Sequence, residues 1–211
     1  MKLYSYFRSS ASYRVRIALN LKCAEYTIEP VNLADGEQGK SLYLEKNSQG
    51  LVPALELDNG KILTQSIAII EFLDQIILGN RLIPEDKILG AQARALASAV
   101  ISEMQPLNNL RVLKYLGHVL DLSNEQVTDW YHNWVKLGFD FLEDSIKEPF
   151  CLGEEVSLVD CCLVPQTYNA YRFKFDVSKY PKIETVYRNC LELQAFQNAS
   201  PEAQLDFTKS L

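Results

Sequence analysis

Histidine is scarce. The 211 residues hold only His118 and His132, far apart in sequence, so a histidine-rich metal centre has little to be built from. No stretch approaches the roughly 18 apolar residues of a membrane-spanning helix, and the first ten residues, MKLYSYFRSS, lack the apolar run of a signal peptide. Basic residues are outnumbered, 21 Lys and Arg against 27 Asp and Glu, for a net charge of −6. Nucleic acid and anionic membrane surfaces both select a basic face, so this balance argues against either as the main partner. An anionic small ligand remains compatible where the few cations gather locally. The five cysteines, Cys23, Cys151, Cys161, Cys162 and Cys190, are odd in number and contain no C-x-x-C pair. That usage reads as reduced, mostly buried thiols in a cytoplasm. No G-x-S-x-G elbow supports a serine hydrolase.

What is present is an ordinary globular composition, 47% hydrophobic and 23% charged, with enough apolar mass for a core without disulfides or metal. LYSY (3–6) is a β-prone run, followed by several possible helix caps from Ser9 to Ser12 and then the helical YRVRIALNL. YTIEPVNL is a second strand whose Pro30 suggests an edge or an end. After the polar loop ADGEQGKS, PALEL and KILTQS flank Asp58-Asn59-Gly60, a hairpin signal. SIAIIEFLDQIIL then repeats at helical spacing. The order β-α-β, loop, β-β-α builds one mixed sheet with helices on both faces. Past GNRLIPED every periodic segment is helical, so we expect an α/β domain over 1–82 and an all-α domain over 88–211, with QNASPEAQLDFTKSL a partly loose tail.

Four features of the first domain bear on chemistry. Arg8-Ser9-Ser10-Ala11-Ser12 sits at a strand-to-helix turn, where a serine either caps the helix or donates to an anion or thiolate held at the helix end. Val52-Pro53 precedes an apolar strand; a cis peptide there presents the Val52 backbone to an extended peptide. Gln65-Ser66 opens a helix, with Ser66 expected as the cap and the first amides able to hold a carboxylate. Gln38 and Lys40 lie in the polar loop. Each has a plain structural reading, but together they suit a small peptide carrying a thiol and carboxylates. Ser157 to Asp160 reads as a capping-box variant, hence as a folding element.

These segments resemble the zeta class of glutathione transferases. The resemblance is carried by S-S-x-S-Y-R-V-R-I-A-L from Ser9, N-x-x-x-L-V-P-A-L from Asn47 and Q-S-x-A-I-I-E-F-L from Gln65. It continues through Q-P-L-N-N from Gln105, G-x-E-V-S-L-V-D-x-C-L-V-P-Q from Gly153, Y-R-F-K-F-D-V from Tyr171 and Y-P-K-I from Tyr180. It implies a thioredoxin-like domain followed by a helical domain, a homodimer, and glutathione as cofactor. The implied activity is cis–trans isomerisation of maleylacetoacetate in tyrosine breakdown, or of maleylpyruvate, with glutathione regenerated each turnover.

By position, the resemblance makes Ser9 the donor to the glutathione thiolate, with Ser10 beside it. Val52 becomes the backbone contact to the cysteinyl part, Gln65 and Ser66 the binders of the γ-glutamyl end, and Gln38 a binder of the glycyl end. Gln105 and Asn109 line the site, Arg172 is implied to hold a substrate carboxylate, and Arg111 resembles a substrate-facing arginine of the maleylpyruvate-type enzymes. Arg8 or Arg14 comes next among the cations for the substrate's carboxylates. Ala11 stands where zeta motifs often carry cysteine, and Tyr13 where tryptophan or histidine is common. The same thiolate also serves a general transferase or one acting on α-halo acids. A non-catalytic adaptor of this fold has no need of Ser9, Gln65 and Ser66.

Overall fold

The computed structural model describes residues 1–208 and divides into two compact units, Met1–Leu82 together with the C-terminal stretch from Leu191, and Ile83–Cys190. The first unit runs β1 (Lys2–Ser5), α1 (Ser10–Leu21), β2 (Thr27–Pro30), α2 (Ser41–Leu44), β3 (Ala54–Glu56), β4 (Ile62–Thr64) and α3 (Ser66–Ile76). Its sheet has the order β2-β1-β3-β4. β1 and β2 are parallel, as the α1 crossover requires, while β1–β3 and β3–β4 are antiparallel. Pro30 ends the edge strand, where a missing N–H costs no ladder bond. The β3–β4 hairpin closes as Asn59-Gly60 predicts: Gly60 takes φ 80° and Leu57 N–H donates to Lys61 O at 2.8 Å.

Alternation along the strands divides the core. Leu3 and Leu55 are register partners, both 0% exposed. Tyr4 and Ala54 face the other way and cluster with Tyr6, Phe7, Val31, Tyr43 and Val52. Tyr43 brings α2 onto that face, its ring 6.0 Å from Tyr4 in an edge-on pair. α1 and α3 pack on each other with Val15, Leu19, Ile69, Ile70 and Leu73 fully buried. The far end of α1 is tied down by Lys22, whose Nζ lies 2.8 Å from Asp74 Oδ1 in a pair buried on both sides.

Two arginines interrupt the apolar run of α1, and both are buried. Arg16 is 0% exposed; its Nε donates to Ala199 O at 2.9 Å, Nη1 to Ser5 Oγ at 3.0 Å and Nη2 to Phe7 O at 2.9 Å. Desolvation draws its pKa down to about 10. Arg16 is therefore a structural cation, joining the end of β1 to the C-terminal helix α9 (Gln194–Ala199). The reading of QNASPEAQLDFTKSL as a partly loose tail is corrected where that stretch packs on the first unit. Phe196 and Ala199 are fully buried, Asn20 Nδ2 donates to Ala195 O at 2.9 Å, and Phe7 N–H donates to Asp206 Oδ2 at 2.9 Å. The C-terminal stretch thus groups with the first unit rather than with the helices preceding it; its last three positions, 209–211, lie outside the described residues.

The second unit holds α4 (Lys87–Ser98), which continues as a wider π-helical segment over Ala99–Met104, then α5 (Leu110–His118), α6 (Asn124–Ser145), α7 (Leu158–Arg172) and α8 (Pro181–Leu191). α7 is central, with every residue from Leu158 to Thr167 buried. Ser157 caps it and Asp160 completes the box: Asp160 accepts from Ser157 N, Ser157 Oγ and Cys151 N, each at 2.8 Å. Gly138 of α6 lies so close to Met104 that a Cβ there would overlap the methionine side chain. Cys151, Cys161, Cys162 and Cys190 are buried free thiols, and Cys23 is exposed. Among the described residues no helix is long and apolar enough to cross a membrane.

Candidate functional site

The sheet register brings three turns to one end. Tyr4 pairs with Ala54 and Ala54 with Thr64, so the chain leaving β1 toward Ser9, the chain entering β3 through Val52-Pro53 and the chain leaving β4 through Gln65 share an edge. Neighbouring strands are about 4.8 Å apart, which sets the scale of that edge.

Ser9 is the cap of α1, with φ −70° and ψ 116°; its Oγ accepts from Ser12 N–H at 3.2 Å. The two readings of this serine are thus compatible. A hydroxyl has one proton and two lone pairs, and capping uses a lone pair, leaving the proton to be donated. The residue sits half-buried at the positive end of a 12-residue helix, where an anion is favoured.

The Val52–Pro53 peptide is cis. Val52 is buried and lies beyond the last ladder pair, and the turn before it is fastened by two donors to Leu51 O, Tyr43 OH at 2.6 Å and Asn47 Nδ2 at 2.7 Å. Gly50 approaches the Gln38 carbonyl so closely that a Cβ would sit 3.1 Å from it, which brings the polar loop beside the same turn. Gln38 is half-buried, and its Oε1 is a buried acceptor without a hydrogen-bond partner among the described residues. Lys40 is exposed and paired with Glu37 at 3.7 Å.

The cap of α3 is Gln65 and not Ser66, a correction to the sequence reading. Gln65 holds φ 68° and ψ 113°, a conformation that costs a non-glycine residue about 1–3 kcal/mol. Its exposed side chain donates from Nε2 to Gln49 Oε1 at 2.9 Å. Ser66 occupies the first helical position, buried, and its Oγ accepts from Arg14 Nη1 at 3.3 Å. Arg14, 1% exposed, is therefore no candidate to grip a substrate; it sits beneath Ser66 at the start of α3. Sequence reasoning missed this role and that of Gln49. The available signal was YRVR itself, two cations inside an apolar helix.

Arg8 is half-buried, its Cζ 5.5 Å from the ring of Phe7. The remaining predicted residues lie on separate elements of the helical unit. Gln105 follows the π-helical segment, and Asn109 caps α5, accepting from Arg111 N–H at 3.1 Å. Arg111 is exposed in the first turn of α5 and Arg172 is exposed in the last turn of α7.

Chemically, the first unit offers a hydroxyl donor at a helix end, strand-end backbone for an extended peptide, and a second helix start above a buried cation. A tripeptide with a thiol and carboxylates fits that donor set, with the lone Gln38 Oε1 acceptor available to an N–H.

The chain is similar to known proteins along nearly its whole length. Residues 1–75 match the glutathione S-transferase N-terminal domain and residues 125–194 the glutathione S-transferase C-terminal domain. A probable maleylacetoacetate isomerase of Vibrio cholerae is 43% identical over 209 residues, covering 97% of each chain. The holo structure of a maleylpyruvate isomerase, a bacterial zeta-class glutathione S-transferase, superposes with a TM-score of 0.95 at 39% identity, over 99% of this chain and 100% of that one. A maleylacetoacetate isomerase of Methylobacterium extorquens AM1 with bound malonate and glutathione gives a TM-score of 0.92 at 35% identity, over 97% and 98%.

Proposed function

This chain belongs to the glutathione S-transferase family, in its zeta class, and from that premise we propose that it is a glutathione-dependent cis–trans isomerase of maleylacetoacetate. The observation that carries the reading is Ser9: a cap whose lone pair is engaged and whose proton is available, on the sheet edge shared with Val52 and Gln65-Ser66. Bound glutathione supplies the sulfur nucleophile that adds to and departs from the cis double bond, so that rotation can intervene. Ser9 stabilises the thiolate by donation, and the first-turn amides of α1 by Ser10 and Ala11 add their partial positive charge. Val52 pairs with the peptide backbone, Gln65 and Ser66 take the γ-glutamyl end, and Gln38 the glycyl end. Gln105 and Asn109 line the substrate side. Arg172 and Arg111 hold the carboxylates and balance charge developing on the substrate, with Arg8 as a third cation.

Maleylpyruvate is the second reading, favoured by the 0.95 TM-score to an isomerase of that acid and by Arg111, which resembles a substrate-facing arginine of such enzymes. The test is conversion of each acid to its trans isomer with and without glutathione. We expect turnover of at least one acid, abolished when glutathione is omitted; no turnover of either removes the isomerase reading.

Two finer points belong to the same proposal. A homodimer is supported by apolar side chains left exposed, such as Leu42, Leu110 and Tyr115, and light scattering is expected to give twice the chain mass, a monomeric mass refuting it. A cytoplasmic setting is supported by the free thiols; localisation of a tagged chain outside the cytoplasm would refute it.

A further inference from the structure

The last turn of α7 ends in a Schellman motif built without glycine. Lys174 takes φ 56° and its N–H donates to Tyr171 O at 2.9 Å, while Phe175 N–H donates to Ala170 O at 2.9 Å. The residues on either side of this reversal, Phe173 and Phe175, lie against α6. The Phe173 ring stacks on Tyr131, with centroids 3.9 Å and planes 14° apart, and His132 Nε2 lies 2.8 Å from the Phe173 carbonyl. Phe175 meets His132 and Phe139 edge-on at 5.4 and 5.7 Å. Tyr131 is 1% exposed, so this platform is anchored in the core of the helical unit. On it rests Arg172, its Cζ 4.5 Å from the Phe173 centroid.

An exposed arginine ordinarily gives up much rotamer freedom when a ligand fixes it. Stacking on an aromatic ring restricts that freedom in advance. The ring meets the guanidinium at Cζ, whereas a carboxylate is read by the fork of N–H donors. We propose that Phe173, held by Tyr131 and His132, is a positioning residue that pre-orients Arg172 for a substrate carboxylate and thereby sets the affinity for diacids. The proposal rests on the assignment of Arg172 to a substrate carboxylate made above.

The experiment uses the full chain. It measures steady-state kinetics with the diacid varied, and calorimetric binding of malonate with glutathione present. Phe173→Leu and Phe173→Met keep an apolar side chain and delete the ring. Each is expected to raise the diacid KM and the malonate Kd about three- to tenfold, with kcat and the glutathione KM within about twofold. Phe173→Tyr keeps the ring and recovers most of that loss. Arg172→Ala raises the same constants about tenfold or more. Loss of folded protein lowers apparent kcat and leaves KM alone, so the split separates positioning from a structural role. Wild-type constants in both ring-less variants, with Arg172→Ala impaired, overturn the positioning role and leave the assignment of Arg172 standing. Wild-type constants in Arg172→Ala overturn that assignment, and the proposal with it.

Discussion

Replacing Ser9 with alanine is expected to lower glutathione-dependent isomerisation at neutral pH by about a hundredfold, the scale seen when one preorganised donor to a developing anion is removed. A thiol like that of cysteine titrates near pH 8.5, and lowering it by about two units takes roughly 2.7 kcal/mol of preferential anion stabilisation. With Ser9 donating, the thiolate predominates above the lowered pKa and is therefore present at neutral pH. Without it, only the helix-end amides hold the thiolate, and the thiol form persists to a pH nearer about 8.5. The fold deficit in Ser9→Ala is thus greatest at and below the lowered pKa, about 6.5, and narrows toward about pH 9, a profile readable in rate against pH. Loss of the bond to Ser12 N–H also costs about 1 kcal/mol of stability, measured separately by denaturation. A variant within twofold of wild type at neutral pH would remove Ser9 from the chemistry.

Asp160→Ala is expected to cost about 3–5 kcal/mol of stability, the range for breaking a buried charged network. Asp160 is 0% exposed and receives three donors at 2.8 Å, so its removal strands Ser157 N–H, Ser157 Oγ–H and Cys151 N–H inside the helical unit. Burial raises the carboxyl's pKa, and the donors act against that rise. Asp160→Asn, which retains one acceptor oxygen, is expected to lose less. The measurement is the denaturant midpoint of each variant; an unchanged midpoint for Asp160→Ala would show that the box contributes little.

Much of this architecture is local and therefore legible. The Asn59-Gly60 hairpin, the ending of β2 at Pro30 and the Ser157–Asp160 box each depend on a few adjacent residues, and each stands where its signal lies. Features decided by distant partners are not legible in this way. Arg16 is buried because acceptors as remote as Ala199 surround it, 183 residues along the chain. The C-terminal helix is polar in sequence and ordered by the surface of α1. The end of α7 carries Lys174, not glycine, at its left-handed position, so nothing in the sequence marks the turn that sets Phe173 under Arg172. For the candidate site, SSASYRVR and LVPA named the turns, but only the register of β1, β3 and β4 puts them on one edge. The displacement of the α3 cap from Ser66 to Gln65 follows from a strained φ that serine-cap statistics do not anticipate.

The most direct measurement is a thiol balance. Maleylacetoacetate and maleylpyruvate are each incubated with the protein and a small amount of glutathione, following trans product and free thiol together. An isomerase uses glutathione catalytically, so the predicted result is trans product far in excess of glutathione with free thiol undiminished. Thiol consumed in step with substrate, or no trans product from either acid, would contradict the account.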